Sequence, residues 1–137
     1  KKGAAFENVC CLYPTAPLVS SEKLIAALEV LNNNGYDSVF PVIKFGFPIQ
    51  RALRVANGKA EFFNTECALV RSQDLENSYH DAGQFYWVRK DEFLLTKQVV
   101  TKKAGVIIIS ELEAQDIDNM VDWDLAELKF KLISNNT

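Results

Sequence analysis

The apolar residues of the chain recur in two periods, which predict strands that alternate with helices. Four short apolar runs have strand length, and Pro41 is expected to place the second of them at a sheet edge or a bulge. The last run is continuously apolar, as expected of a strand that is covered on both faces. The runs are ENVCCLYP, SVFPVIKF, GQFYWVR and GVIIIS.

Segments whose apolar residues recur at helical spacing lie between and after these runs. Leu24, Ala27, Leu28 and Leu31 predict a helix that Ser20 or Ser21 caps, and KDEFLLTK predicts a short one. A third helix at the end of the chain is predicted from an apolar stripe, with further apolar residues beside it. Strands that alternate with helices predict an α/β fold with parallel strands. The stripe is Val121, Leu125, Leu128 and Leu132, flanked by Trp123, Ala126, Phe130 and Ile133.

The composition limits the class of protein. The 137 residues suit one domain, and an apolar fraction of 48% is enough for a core. The formal net charge of -3 argues against a protein that binds nucleic acid or a membrane surface through bulk positive charge. The cysteines Cys10, Cys11 and Cys67 do not form a disulfide framework, and we interpret them as reduced thiols of a cytoplasmic protein.

Two carboxylates stand between GVIIIS and the last predicted helix. In an extended segment Asp116 and Asp118 point the same way, with Ile117 between them facing the core. Two carboxylates at the carboxyl end of a strand suit Mg²⁺. The simpler interpretation is that Asp118 or Asn119 caps the helix, and without further evidence that one is preferred.

Several stretches resemble the acylneuraminate cytidylyltransferases, and the resemblance runs over nearly the whole chain. The stretch YHDAGQFYW is closer to the pseudaminic acid branch of that family than to the sialic acid branch. The resemblance implies a Rossmann-like nucleotide-diphospho-sugar transferase fold, with a mixed, mostly parallel sheet flanked by helices. The stretches are CCLYPTAPLVS, FPIQRAL, RSQDLENSYHDAGQFYW and DIDNMVDWDLAELKFK.

The resemblance implies a reaction between CTP and an acidic nine-carbon sugar that gives a CMP-sugar and pyrophosphate. The paired aspartates of the family match Asp116 and Asp118, which makes them the expected catalytic ligands of Mg²⁺ or Mn²⁺. The resemblance also favours Lys44, Arg51 and Arg71 as contacts to the acidic sugar, since arginine binds carboxylates bidentately. The alternative is that these side chains are solvated surface charges that bind no ligand.

Other residues of the matched stretches are candidate sugar contacts. Gln73, Tyr79 and Gln84 can bond hydroxyl and acetamido groups, and Phe85 can pack on apolar parts of the sugar. Core packing is the alternative for the aromatic residues, because about half of an alternating strand faces the core. Thr15 lies in a loop that resembles the loop beside the family's substrates, although a rigid turn between prolines also explains it.

The expected triphosphate loop has no counterpart in the sequence. Members of the family begin with a strand and a loop rich in Gly, Ser, Arg and Lys, whereas none of the six glycines here lies in such a loop. The chain therefore resembles a C-terminal portion of the enzyme, a single truncated domain over residues 1–137, and is expected to be inactive alone. An irregular β-rich segment at 44–89 is the expected sugar-binding and homodimerisation region.

Two other functions stay open at this point. The chain can be a non-catalytic remnant that keeps the fold and the dimer surface, or part of a cytidylyltransferase for another acidic sugar, such as legionaminic or ketodeoxyoctonic acid. The stereochemistry of the sugar cannot be derived from the sequence, because contacts to single hydroxyl groups decide it.

Overall fold

The computed structural model describes residues 6–135. None of the helices in this part of the chain is long and apolar enough to cross a membrane. The helices are α1 (Ser21–Asn33), α2 (Lys90–Thr96) and α3 (Met120–Ser134). The strands are β1 (Asn8–Leu12), β2 (Ser38–Lys44), β3 (Leu53–Ala56), β4 (Lys59–Phe62), β5 (Tyr79–Asp81), β6 (Phe85–Arg89) and β7 (Ala104–Ile109).

The larger sheet has the strand order β1-β6-β2-β5, and β7 also pairs with β2. Strand β6 runs antiparallel to both β1 and β2. Strand β7 runs parallel to β2, with Ser38 opposite Ala104 and Ile43 opposite Ile109. The α/β class is confirmed, but the mostly parallel sheet is not, because antiparallel pairing predominates. Apolar periodicity reports which residues are buried and carries no information on strand direction.

Pro41 lies in a strand with neighbours on both sides, which excludes the edge position, one of the two alternatives that were predicted beside a bulge. Pairing of β2 with β6 ends at Val39, which lies opposite Trp87. The carbonyl of Pro41 accepts a hydrogen bond from the Ala82 N–H at 3.1 Å. Because proline has no N–H, it fits the point where one neighbouring strand ends. A central strand therefore accommodates this proline without losing a donor of the ladder.

Helix α1 covers one face of the sheet. Ala27 and Leu31 of the helix and Val39 and Phe85 of the strands are fully buried against one another. The side chain of Arg89 donates to the carbonyls of Leu31 and Tyr36, at 3.0 and 2.9 Å. The last carbonyls of a helix lack partners within the helix, so this arginine both fixes and satisfies the end of α1.

Strand β7 is covered on one face only. Gly105 and Ile109 are buried, whereas Val106 and Ile108 are 46% and 61% exposed. The expectation of a strand covered on both faces is therefore wrong within the described residues. A continuous apolar run does not distinguish a strand that is covered on both faces from one with an open apolar face.

Gly105 is required by a close approach of Tyr36. A Cβ built at this glycine would overlap the Tyr36 ring, with three ring carbons less than 3 Å away. We therefore expect Gly105→Ala to lower the free energy of unfolding by about 1–3 kcal/mol, as overpacked core sites do. Urea denaturation followed by circular dichroism measures this. The double variant with Tyr36→Ala is expected to lose less than the two single changes together, and strict additivity would contradict the account.

The residues Lys44–His80 form a compact unit of their own, and the rest of the described chain forms the other. We call them the middle unit and the sheet unit. The middle unit contains the hairpin of β3 and β4, which the stretch IQRALRVANGKAEFF predicts with Asn57 and Gly58 as its turn. These two turn residues have φ of 52° and 74°. Positive φ at both positions is what a two-residue type I′ turn needs. Residues 81–89, which the sequence analysis placed in the middle segment, belong to the sheet unit.

Candidate active site

The acidic pair lies in the connection between β7 and α3. A short 3-10 helix at Glu111–Glu113 follows β7, so Asp116 and Asp118 do not directly follow the strand. Both are exposed, and neither carboxylate has a hydrogen bond or ion pair with another described residue. The backbone N–H of Asp118 donates to Asp122 Oδ2 at 3.0 Å, which fixes the main chain there.

Asn119, and not Asp118, caps α3. The side-chain oxygen of Asn119 accepts hydrogen bonds from the N–H groups of Val121 and Asp122, and the Asp122 carboxylate accepts one from the Asn119 N–H. The capping interpretation of the sequence is therefore confirmed for Asn119. Because Asn119 and Asp122 fill the capping positions, the carboxylates of Asp116 and Asp118 are not used by the helix.

The start of this connection is anchored to the sheet unit at several points. Lys23 pairs with Glu113 at 3.1 Å, and Lys129 Nζ donates to the Ala114 carbonyl at 2.7 Å. Gln84 Nε2 donates to the Glu113 carbonyl at 2.6 Å. These contacts hold Glu113 and Ala114, which lie three and two residues before Asp116, so the exposed carboxylates follow an anchored segment.

The two carboxylates of the acidic pair suit a hard divalent cation whose coordination shell is completed by substrate and water. In the described residues, no three His, Cys, Asp or Glu side chains are grouped as metal ligands. Mg²⁺ is commonly bound by one or two carboxylates, with water and substrate phosphates as the other ligands. Two aspartates whose carboxylates have no other partner among the described residues meet that requirement. Two carboxylates are too few to form a metal site without substrate and water.

Gln84 and Phe85 are structural residues of the sheet unit, which corrects their assignment as sugar contacts. Gln84 is 3% exposed, and Phe85 is fully buried. The Gln84 amide is bound to the Glu113 carbonyl, and Phe85 packs among the residues that join α1 to the sheet. On alternate positions of β6 about half of the side chains face the core, and Phe85 is one of those. Neither side chain is presented to a ligand.

Thr15 lies in the exposed loop that links β1 to α1. The loop is fixed at one end by the Tyr13 N–H, which donates to the Gln84 carbonyl at 2.9 Å. At the other end Ser20 caps α1 through the Lys23 N–H. The Thr15 side chain is exposed, so both a substrate contact and a simple turn are compatible with its position.

Asp81 and Tyr86 form a polar cluster that the sequence analysis did not single out. Tyr86 Oη donates to Asp81 Oδ2 at 2.7 Å, and Asp81 Oδ1 accepts from the Gly83 N–H at 2.8 Å. Burial, followed by the hydrogen bond to Asp81, raises the pKa of Tyr86 above its ordinary value. The phenol therefore stays protonated and holds the turn. A Gly two residues after an Asp is the sequence signal for this local bond.

The middle unit contains a cavity of about 240 Å³ that brings together two predicted sugar contacts. Lys44 and Gln73 both line it, and the other lining residues come from the same two segments, 44–48 and 72–78. Gln50, which the sequence analysis missed, joins segments of the unit: its Nε2 donates to the Glu76 carbonyl at 3.0 Å and lies 3.4 Å from Ser78 Oγ. Tyr79 and Arg71 are exposed and do not line this cavity.

Arg51 lines a second cavity of the middle unit, of about 360 Å³, with apolar neighbours that include Phe47, Leu53 and Phe62. Its Nη1 donates to Ser72 Oγ at 3.3 Å, whereas its Nε is buried without a hydrogen-bond partner in the described structure. A buried donor without a partner costs free energy, so this guanidinium suits an anionic ligand. Arg54 differs, because its guanidinium binds Glu61 at 2.6 and 2.9 Å.

Comparison with known proteins identifies several named proteins to which the chain is similar. No protein-family model matches the chain. Two proteins of Campylobacter jejuni named pseudaminic acid cytidylyltransferase are 34% and 33% identical over 128 residues, which is 93% of this chain and 55% of each relative. A Helicobacter pylori protein named as that enzyme combined with a UDP-sugar hydrolase is 34% identical over 79% of the chain and 21% of its own length.

The chain thus spans about half the length of the Campylobacter proteins it matches. The match extends over nearly all of its own residues and includes both the sheet unit and the middle unit. Over 93% of its length the chain is similar to proteins that are named pseudaminic acid cytidylyltransferase.

Proposed function

We propose that the chain provides the sugar-binding and metal-binding part of a cytidylyltransferase. The substrates are CTP and an acidic nine-carbon sugar of the pseudaminic acid type, and the products are the CMP-sugar and pyrophosphate. The observation that carries the proposal is the 33–34% identity to enzymes of that name over 93% of the chain. We further propose a cytoplasmic location, since CTP is a cytoplasmic metabolite.

The reaction joins the anomeric hydroxyl of the sugar to the α-phosphate of CTP and releases pyrophosphate. Asp116 and Asp118 are proposed to hold Mg²⁺ or Mn²⁺ together with phosphate oxygens. The metal, when bound, neutralises phosphate charge as the leaving group departs. The two aspartates suit this role because neither carboxylate is used by the cap of α3.

Recognition of the sugar acid is assigned to the middle unit. Arg51 has a buried Nε without a partner in the described structure, and Lys44 and Gln73 line the other cavity of the same unit. A guanidinium binds a carboxylate through two parallel N–H donors, which gives orientation as well as affinity. Arg71 and Tyr79 are exposed and stay predicted contacts, as does Thr15 of the sheet unit.

We expect Arg51→Ala to weaken binding of the free sugar acid by the 137-residue chain roughly ten- to hundredfold, because a charge-assisted contact is lost. Isothermal titration with the acid measures this, and the methyl ester of the same sugar shows how much the carboxylate contributes. Arg54→Ala is the matched control, since Arg54 is an arginine of the same unit that is already paired with Glu61. Equal loss in both variants, or equal binding of acid and ester, would contradict this assignment.

A non-catalytic remnant that keeps only the fold and the dimer surface is the second candidate. A remnant is expected to fold and associate without binding the sugar acid, so the same titration separates the two candidates.

A further inference from the structure

The two cavities of the middle unit border on each other. We call the cavity that Lys44 lines the lysine cavity, and the cavity that Arg51 lines the arginine cavity. They have Phe47, Pro48 and Ser72 in common as lining residues. Ser72 Oγ also accepts the hydrogen bond from Arg51 Nη1 at 3.3 Å. The guanidinium therefore lies within hydrogen-bond distance of a side chain that both cavities share.

The two cavities differ in charge. In the described part of the chain, Arg51 is the one charged side chain that lines the arginine cavity, beside the apolar Leu53 and Phe62. The lysine cavity has one cation and one anion in its lining, Lys44 and Glu76. Electrostatic complementarity therefore favours an anionic group in the arginine cavity and neutral hydroxyl or amide groups in the lysine cavity. The further polar lining residues of the lysine cavity are Ser72, Gln73, Asn77 and Ser78.

Hydrogen bonds fix the two segments that line the lysine cavity. The Phe45 N–H donates to the Ser78 carbonyl at 2.9 Å. The Gln50 side chain donates to the Glu76 carbonyl at 3.0 Å, so it joins the second segment to the residues that precede Arg51. Walls that are held in place before a ligand arrives reduce the entropy that binding costs. The shape of the two cavities is therefore set by the folded middle unit itself.

Phe47 lies at the border of the two cavities. It lines both of them, and it is 87% exposed. A ring that is so exposed contacts few atoms of its own chain, which leaves its face available to a ligand. Sugar rings present C–H groups that can pack against an aromatic face, and binding sites commonly combine such apolar contacts with a few polar ones. The position of Phe47 suits the middle of a ligand whose ends lie in the two cavities.

We propose that the two cavities form one binding site and that a single sugar acid spans them. The carboxylate lies against Arg51, and hydroxyl or amide groups at the other end of the sugar contact Lys44 and Gln73. Phe47 packs on the part of the sugar between these ends, which makes it a specificity-determining residue for an extended acid. This orientation rests on the proposed function, and it adds the direction in which the sugar lies in the middle unit.

Isothermal titration of the 137-residue chain with pseudaminic acid and with its methyl ester tests the orientation. We expect one bound molecule per chain. Phe47→Ala and Gln73→Ala should each weaken binding of both the acid and the ester roughly three- to tenfold, because each removes one contact away from the carboxylate. Arg51→Ala should weaken binding of the acid and leave that of the ester unchanged. Phe47 and Gln73 are exposed, so the circular dichroism spectra should match that of the wild-type chain.

Phe63→Ala is the matched control for Phe47→Ala, because Phe63 is a 70% exposed phenylalanine of the same unit that lines neither cavity. A wild-type chain that binds no acid would contradict the proposed function, and this orientation with it. Acid binding that weakens in Arg51→Ala but not in Phe47→Ala or Gln73→Ala would overturn the orientation alone, since the ligand would then occupy only the arginine cavity. Two bound molecules per chain would also overturn it.

Discussion

Phe85→Ala is expected to unfold much of the sheet unit, with a loss of about 3–5 kcal/mol in the free energy of unfolding. Phe85 is fully buried between α1 and the sheet, where it contacts the cluster of Ala27, Leu31 and Val39. Removal of its ring leaves a cavity that three surrounding elements have to close together. Because domains of this size are only marginally stable, such a loss is a large part of the total.

Urea denaturation of the 137-residue chain measures the effect. Phe63→Ala is the control, since Phe63 is 70% exposed in the middle unit and its loss should change the unfolding free energy little. The competing role of Phe85 as a sugar contact gives a different result. If the variant kept its stability but bound the sugar acid more weakly, the structural assignment of Phe85 would be wrong.

Phe85 also illustrates which parts of the fold can be predicted from the sequence. Periodicity located β6, α1 and the final helix, and the Asn57–Gly58 pair located the hairpin, because these signals depend on neighbouring residues. Strand direction was not predictable, since β1 and β6 pair across most of the chain. The resemblance identified a matched stretch around Phe85, but it did not show which side chains of that stretch face the core.

In the candidate site, too, features that depend on neighbouring residues could be predicted, and features that depend on distant residues could not. The capping role of Asn119 was foreseen as one of two alternatives, because a cap depends on residues three positions away. The hydrogen bonds of Gln50 and Gln84 were not foreseen: the Gln50 side chain joins two segments of the middle unit, and the Gln84 side chain is bound to the Glu113 carbonyl. Both bonds join residues more than 25 positions apart, so neither can be predicted from the residues next to each glutamine.

Asp118→Asn is expected to reduce turnover on the order of 10²- to 10³-fold in a complete enzyme that contains this chain. The substitution keeps the shape of the side chain and removes the charge that a divalent cation needs. Asp118 does not cap α3, so the helix and the fold should be unchanged. Asp124→Asn is the matched control, because Asp124 is an exposed aspartate nearby, in the first turns of α3.

The metal role has a readout that does not depend on turnover. Binding of Mn²⁺ in the presence of CTP, followed by electron paramagnetic resonance, should weaken in Asp116→Asn and Asp118→Asn and stay normal in Asp124→Asn. Equal metal binding in all three variants, with turnover unchanged in Asp118→Asn, would remove the acidic pair from the mechanism.

Pyrophosphate release is the measurement that tests the central claim most directly. The 137-residue chain is fused to the remaining part of the Campylobacter jejuni relative, placed ahead of Lys1, and supplied with CTP, Mg²⁺ and pseudaminic acid. The account predicts release by the fusion, none by the 137-residue chain alone, and none by the fusion that carries Asp118→Asn. Release by the chain alone, or a folded fusion that binds both substrates and releases no pyrophosphate, would contradict it.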